Sequence, residues 1–250
     1  MNRAQDTARK IIVALDVEEK EEALSLVKEL PKAEIFKVGL RLFTAQGPSL
    51  LQEIHNFKKK IFLDLKFHDI PNTVEGAVAA AVNHGVHMLT LHSSGGKEMM
   101  AKAVEAARKK GKKREARPLL LAVTILTSLK DDQLKDIGMT ASPKGQVLRL
   151  AKLAREAGMD GVVCSPQEIE FIKEGLGRDL LVVTPGIRPS WAAAQDQKRI
   201  MSPSLALKKG ADYLVIGRPI IKDSSPARAF LKICEELDSA VNSSHSKNTT

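Results

Sequence analysis

The chain has 250 residues, 43% hydrophobic and 28% charged, a balance ordinary for a soluble globular protein with a sizeable core. Its formal charge is +9, but aromatic residues make up only 4% and are not interleaved with the basic runs at 58–60 and 108–114, so nucleic acid is not the expected partner. Two distant cysteines, Cys164 and Cys234, argue against a disulfide scaffold or a Cys-x-x-Cys zinc site and suit a reducing cytoplasm; no apolar run is long enough to span a membrane, and the first ten residues lack the apolar core of a signal peptide.

In chain order, residues 10–15 (KIIVAL) form a short apolar run ending at Asp16, and 18–30 follow with helical periodicity until Pro31. Residues 35–40 (IFKVGL) read as the second strand, with Lys37 in its middle, and 41–56 as one helix. The third strand opens the run 61–74, IFLDLKFHDIPNTV, with Phe62, Asp64 and Lys66 on one face and Ile61, Leu63 and Leu65 on the other. A helix over 75–84 follows it, with Asn72 or Thr73 as the expected N-cap. Strands at 86–92 and 118–126 flank a helix over 95–110, and a charged connection then leads to a long helical pattern ending near Gly158. Short strands at 161–165, 180–184 and 211–216 complete the series, with a short helix opening at Pro166 and another over 204–209. The last helix is expected over 226–241, and the polar tail 242–250 is expected to be disordered.

Eight short apolar strands alternate with helical patterns, as βα units require, and their continuous apolar character suits a parallel sheet buried on both faces. The expected fold is a (β/α)8 TIM barrel spanning 1–250 as one domain. A doubly wound open sheet is the alternative, but no Gly-rich fingerprint follows the first strand.

In such a barrel reactive groups belong at the C-terminal ends of strands. Asp16, Lys37, Asp64, Lys66, Asp69 and Thr127 all fall at or near that rim, and buried charge in a core strand is costly unless paired. Each alone reads as a cap or a surface pair; together they point to a site. A second constellation follows strands seven and eight. TPGIRP (184–189) and IGRP (216–219) each supply a glycine and an arginine, Arg188 or Arg218, suited to holding a phosphate. The loop 185–203 is long for a βα connection and reads as a lid carrying Gln197, Lys198 and Arg199. The six histidines are scattered and with the two cysteines offer no metal site, so no metal and no cofactor is expected.

FLDLKFHDIPNT, with D-x-K-x-x-D at Asp64, Lys66 and Asp69, together with TPGIRP, DQKR and IGRP, resembles the orotidine 5′-phosphate decarboxylases of bacterial type. The resemblance runs from residue 11 to about 230 and implies cofactor-free loss of CO2 from orotidine 5′-monophosphate in pyrimidine biosynthesis, in the cytoplasm. It implies that Asp16 and Lys37 bind the ribose, that Asp64 faces the departing carboxylate and that Lys66 delivers the proton. It further implies that Thr127 touches the pyrimidine and that Gln197, Arg188, Gly217 and Arg218 hold the phosphate. Asp69 and Thr73 would reach into the partner's site of a homodimer. Two other readings stand beside it: a Mg²⁺-dependent sugar-phosphate decarboxylase or aldolase of the same superfamily, and a non-catalytic basic barrel that binds nucleotides or RNA.

Overall fold

The computed structural model describes residues 7–111, 117–129, 131–139, 142–192 and 201–245. Eight strands, β1 (Ile11–Ala14), β2 (Ile35–Gly39), β3 (Lys60–Phe67), β4 (Met88–His92), β5 (Leu119–Val123), β6 (Gly161–Val163), β7 (Leu181–Thr184) and β8 (Tyr213–Ile216), pair in sequence order. All pairings are parallel, and β8 returns to β1 through Ile12↔Val215 and its neighbours, closing the barrel. The expected (β/α)8 TIM barrel is therefore the observed one, and a closed ring leaves no sheet edge exposed.

The strands are apolar on both faces because both faces are covered. Ile12, Ala14, Ile35, Phe62, Met88, Leu121, Val183 and Val215 point into the barrel and pack on one another. Their sequence neighbours, among them Ile11, Val13, Phe36, Leu63, Leu89 and Leu120, face the surrounding helices. Fully burying one such side chain contributes roughly 1.5–3 kcal/mol, so this double layer supplies much of the driving force for closure. At the start of β6 the strands approach so closely that a Cβ on Gly161 would meet the Leu181 carbonyl at 2.5 Å.

Several elements differ from their expected extents. The helix expected over 41–56 is two, α2 (Leu40–Gln46) and α3 (Ser49–Asn56), following α1 (Lys20–Glu29). Gly47 takes φ 68° and donates its N–H to the Phe43 carbonyl at 2.8 Å, ending the first; Pro48 cannot continue it. The helix after β3, α4 (Pro71–Asn83), starts earlier than expected and has no side-chain cap. Pro71 opens it instead of Asn72 or Thr73 capping it, since a proline lacks the N–H that a first turn would leave unpaired. Helix α5 (Gly96–Lys110) follows a 3-10 turn at Ser93–Gly95. The charged connection after β5 contains a short helix, α6 (Asp131–Asp136), before α7 (Pro143–Glu156), whose N-cap Ser142 accepts from the Gly145 N–H at 3.2 Å. After α8 (Ile169–Leu176) and α9 (Pro203–Lys208), an unforeseen turn of helix, α10 (Arg218–Ile221), leaves β8 directly. The last helix, α11 (Pro226–His245), runs past the expected end, so 242–245 are helical rather than tail; 246–250 lie outside the described residues.

Candidate active site

The strand alternation that builds the apolar barrel interior also builds the layer above it. Two residues beyond inward-facing Ala14 comes Asp16; beyond Ile35, Lys37; beyond Phe62, Asp64; beyond Met88, Thr90; beyond Val215, Gly217. Hydrophobic filling stops one layer below the C-terminal rim, and polar groups take over.

Those groups form a continuous chain of alternating charge. Lys37 Nζ lies 3.1 Å from Asp16 Oδ1 and 3.8 Å from Asp64 Oδ2, and Lys66 Nζ donates to Asp64 Oδ2 at 2.9 Å. Side-chain exposure is 12% for Lys37, 14% for Asp64, 27% for Lys66 and 55% for Asp16, so the network runs from a shielded centre to an open rim. Exposed ion pairs contribute little to stability, but removing one member of a shielded pair leaves its partner uncompensated. The two central charges therefore depend on each other.

Lys66 reaches this position through an irregular backbone. Along β3 and β4 the pairs Leu63↔Leu89 and Phe67↔Leu91 advance four residues on one strand against two on the other. Within that bulge Lys66 takes φ 51°, the left-handed region, which costs a residue with a Cβ roughly 1–2 kcal/mol. Thr90 braces the bulge. Its hydroxyl accepts from the Lys66 N–H at 3.0 Å and donates to Asp64 Oδ1 at 2.9 Å.

Opposite this network lie the loops after β7 and β8. Arg188 is buried, and its backbone N–H donates to the Met201 carbonyl at 2.9 Å, while Met201 N–H donates to the Gly186 carbonyl at 3.3 Å. These bonds close the stem of the long loop expected as a lid; its middle, 193–200, with Gln197, Lys198 and Arg199, lies outside the described residues. Gly217 leaves room for the network, since a Cβ there would stand 3.0 Å from Asp16 Oδ2.

A cavity of about 270 Å³ joins the two ends. Asp16, Lys37, Asp64, Lys66, Thr127, Arg188, Gly217 and Arg218 all line it, as expected from their rim positions. Ala14, Phe62, Val163, Ile187 and Val215 give it an apolar floor and wall. Asp69 and Thr73 do not join this cavity. Both are exposed, and the Asp69 carboxylate accepts from the N–H of Ile70, itself 66% exposed.

The sequence reading passed over Thr90 and His92. Thr90 had a visible signal, a hydroxyl in the otherwise apolar run 88–91. His92 stands at the rim with its ring 5.4 Å from that of His68, and burial, then the neighbouring His68 and Lys66, hold its pKa below the usual imidazole value. Cys164, just past β6, has its thiol pushed well above the usual range by burial, which makes it a poor nucleophile. Among the described residues no group of three or more His, Cys, Asp or Glu side chains is placed to hold a metal ion, and no helix is long and apolar enough to cross a membrane.

Residues 9–233 match the model of the Orotidine 5′-phosphate decarboxylase / HUMPS family. The chain is 51% identical over 237 residues to the orotidine 5′-phosphate decarboxylase of Trichlorobacter lovleyi, covering 94% of this chain and 98% of that one. It is 48% identical over 229 residues to the enzyme of the same name from Gloeothece citriformis, covering 91% and 97%. Among solved structures, orotidine 5′-phosphate decarboxylase from Lactobacillus acidophilus superposes with a TM-score of 0.82 at 38% identity, over 92% of this chain and 99% of that one. An uncharacterized conserved protein from Geobacillus kaustophilus gives 0.81 at 33% identity, over 91% and 99%.

Proposed function

This chain belongs to the orotidine 5′-phosphate decarboxylase / HUMPS family, and from that premise we propose that it converts orotidine 5′-monophosphate to uridine 5′-monophosphate and CO2 in pyrimidine biosynthesis. The observation that carries the reading is the uninterrupted Asp16–Lys37–Asp64–Lys66 chain facing two arginines across one cavity.

The reaction breaks the bond between C6 and its carboxylate carbon. The electron pair stays on C6 as an sp² carbanion with little resonance help, and CO2 departs. Fixed charge must therefore lower the barrier. The Lys66 ammonium, paired with Asp64 at 2.9 Å, is such a charge and also the acid that protonates C6; solvent then restores its proton. Asp64 faces the departing carboxylate. Asp16 and Lys37 take the ribose hydroxyls, Thr127 contacts the pyrimidine above the apolar floor, and Arg188, Arg218 and the Gly217 N–H hold the phosphate. Gln197 is assigned to the phosphate by resemblance alone. Binding energy gathered at the phosphate positions a carbon at the far end of the cavity.

No electron sink is needed in this scheme, and Asp64, already bracketed by two ammonium groups, is a poor ligand for a divalent cation. The sugar-phosphate alternative requires such a cation. Decay of the ultraviolet absorbance of orotidine 5′-monophosphate tests the reading directly. Turnover should survive exhaustive EDTA treatment and dialysis; loss of activity restored by Mg²⁺ would favour the other branch. The charged nucleotide is made and used inside the cell, so the working compartment of this reading is the cytoplasm.

The same reading includes a homodimer with shared sites, because Asp69 and Thr73 are exposed and do not line their own chain's cavity. Mixing inactive Lys66→Ala and Asp69→Ala chains under exchange conditions should return about a quarter of wild-type activity, since half the dimers are mixed and each carries one intact site. A flat result after verified exchange would rule out sharing.

A further inference from the structure

Buried hydroxyls recur near the strand ends, and most have a plain structural use. Ser93 Oγ donates to the Val123 carbonyl at 2.7 Å, Thr124 Oγ1 to the Val163 carbonyl at 3.2 Å and Thr184 Oγ1 to the Cys164 carbonyl at 2.9 Å. Each ties one strand end to the next. Thr90 is as deeply buried as these, at 0% exposure, but its bonds go elsewhere. Its proton goes to Asp64 Oδ1 at 2.9 Å, and its oxygen accepts the Lys66 N–H at 3.0 Å.

One hydroxyl therefore holds both members of the Asp64–Lys66 pair, Asp64 by its side chain and Lys66 by its backbone. The backbone bond falls on the residue whose φ of 51° is otherwise unfavourable, and the carboxylate bond fixes the oxygen not used by Lys66. With Oδ1 on Thr90 and Oδ2 on Lys66, the Asp64 carboxylate cannot rotate without losing a partner. A valine at 90 keeps the volume and loses both bonds. We propose that Thr90 is a positioning residue of the decarboxylation site, locking the Asp64 carboxylate and the Lys66 ammonium in register by clamping the bulge in β3. The inference rests on the function proposed above and extends it to a residue that does not line the cavity.

The clamp acts on geometry that matters only in the transition state, so its loss should fall on kcat rather than on binding. Thr90→Val should lower kcat about tenfold to a hundredfold while KM stays within about twofold, and Thr90→Ser, which keeps the hydroxyl, should restore most of the rate. Ser93→Ala, which also removes a buried hydrogen bond, should lower stability and leave kcat nearly unchanged. If valine at 90 does not fold, Thr90→Cys carries the same expectation with a weaker donor. A double-mutant cycle separates positioning from simple destabilisation. In an Asp64→Asn background Thr90→Val should add little, whereas independent losses would multiply. Multiplying losses, a valine variant with wild-type kcat, a loss confined to KM, or a folded serine variant that fails to recover would each overturn the proposal. Absence of turnover in the wild-type chain would instead overturn the function proposed above. The clamp would then be judged by a crystal structure of Thr90→Val. Lys66 leaving its left-handed conformation supports the clamp, and an unmoved Lys66–Asp64 pair counts against it.

Discussion

The two ends of the barrel both carry shielded ion pairs, but they are wired differently. At the N-terminal end, Asp160, Lys173 and Asp212 are each bonded to the backbone as well as to a charge partner. Arg117 grips Asp160 through two bonds of 2.8 and 3.2 Å, and the same carboxylate accepts from the Leu120 N–H at 2.9 Å. Lys173 donates to Asp212 at 2.7 Å and to the Leu180 and Arg178 carbonyls, while Asp212 also accepts from the Val182 N–H. Lys59 is spent on the Pro31 and Ala33 carbonyls. At the C-terminal end, Asp16, Lys37, Asp64 and Lys66 bond to one another and face a cavity. Groups tied to the backbone hold strands, whereas the second set lines a cavity that a ligand can enter.

The sharpest break between the ends should come from Lys66→Ala. Turnover should fall by at least about a thousandfold, because both the acid and the fixed charge are lost, while product-nucleotide affinity measured by calorimetry stays close to wild type. A variant that changes affinity alone would remove Lys66 from the proton-donor role proposed for it. Next in size, Arg218→Ala should weaken nucleotide binding by about 1.5–3 kcal/mol, the range of a charge-assisted contact, with a much smaller effect on the rate at saturation. Equal effects of the two substitutions on both parameters would erase the division of labour within the cavity.

At the opposite end Asp160→Ala should reverse the pattern. It strands the Arg117 guanidinium and the Leu120 N–H, for a loss of about 3 kcal/mol in urea unfolding, with kcat unchanged. A large loss of kcat at full folding would contradict the contrast drawn here. The smallest effect concerns His87, half-buried just before β4, whose pKa is held down by burial and then by Lys60, against the pull of Glu34. A histidine with a depressed folded pKa binds fewer protons folded than unfolded. Its contribution to stability is therefore complete above the unfolded value of about 6.5 and is lost as pH falls from there. His87→Gln should flatten part of the fall in urea midpoint between pH 7 and 5.5; an unchanged slope would remove His87 from that account.

Much of this contrast was legible in the sequence, for a reason that also sets its limit. Period-two alternation carries Ile35 to Lys37 and Phe62 to Asp64, so the rim charges could be placed on the inner face without coordinates. The paired arginines were equally local, each within four residues of a strand end. What escaped depends on contacts between distant segments. Nothing in the run 61–67 says that Lys66 departs from strand geometry, because the bulge is defined against β4 and its brace, Thr90, lies on that strand. Asp69 sits close to Lys66 in sequence, yet in the turn after β3 it is exposed and does not line its own chain's cavity. The break at Gly47–Pro48 was written in the sequence and was overridden by the apolar pattern on either side of it.

Trp191 is the only tryptophan, and it stands at the stem of the loop after β7 with Lys232 Nζ 4.5 Å above its ring. It also lines a groove with Arg188 and Arg218, the two side chains proposed above to hold the phosphate. Indole emission responds to nearby charge, and here one cation lies over the ring while two arginines line the same groove. Light absorbed at the red edge of the protein spectrum is therefore taken up at a single address. Under the function proposed above, a change in this emission should report occupancy at the arginine end, readable in stopped flow without a label and separable in time from the loss of substrate absorbance.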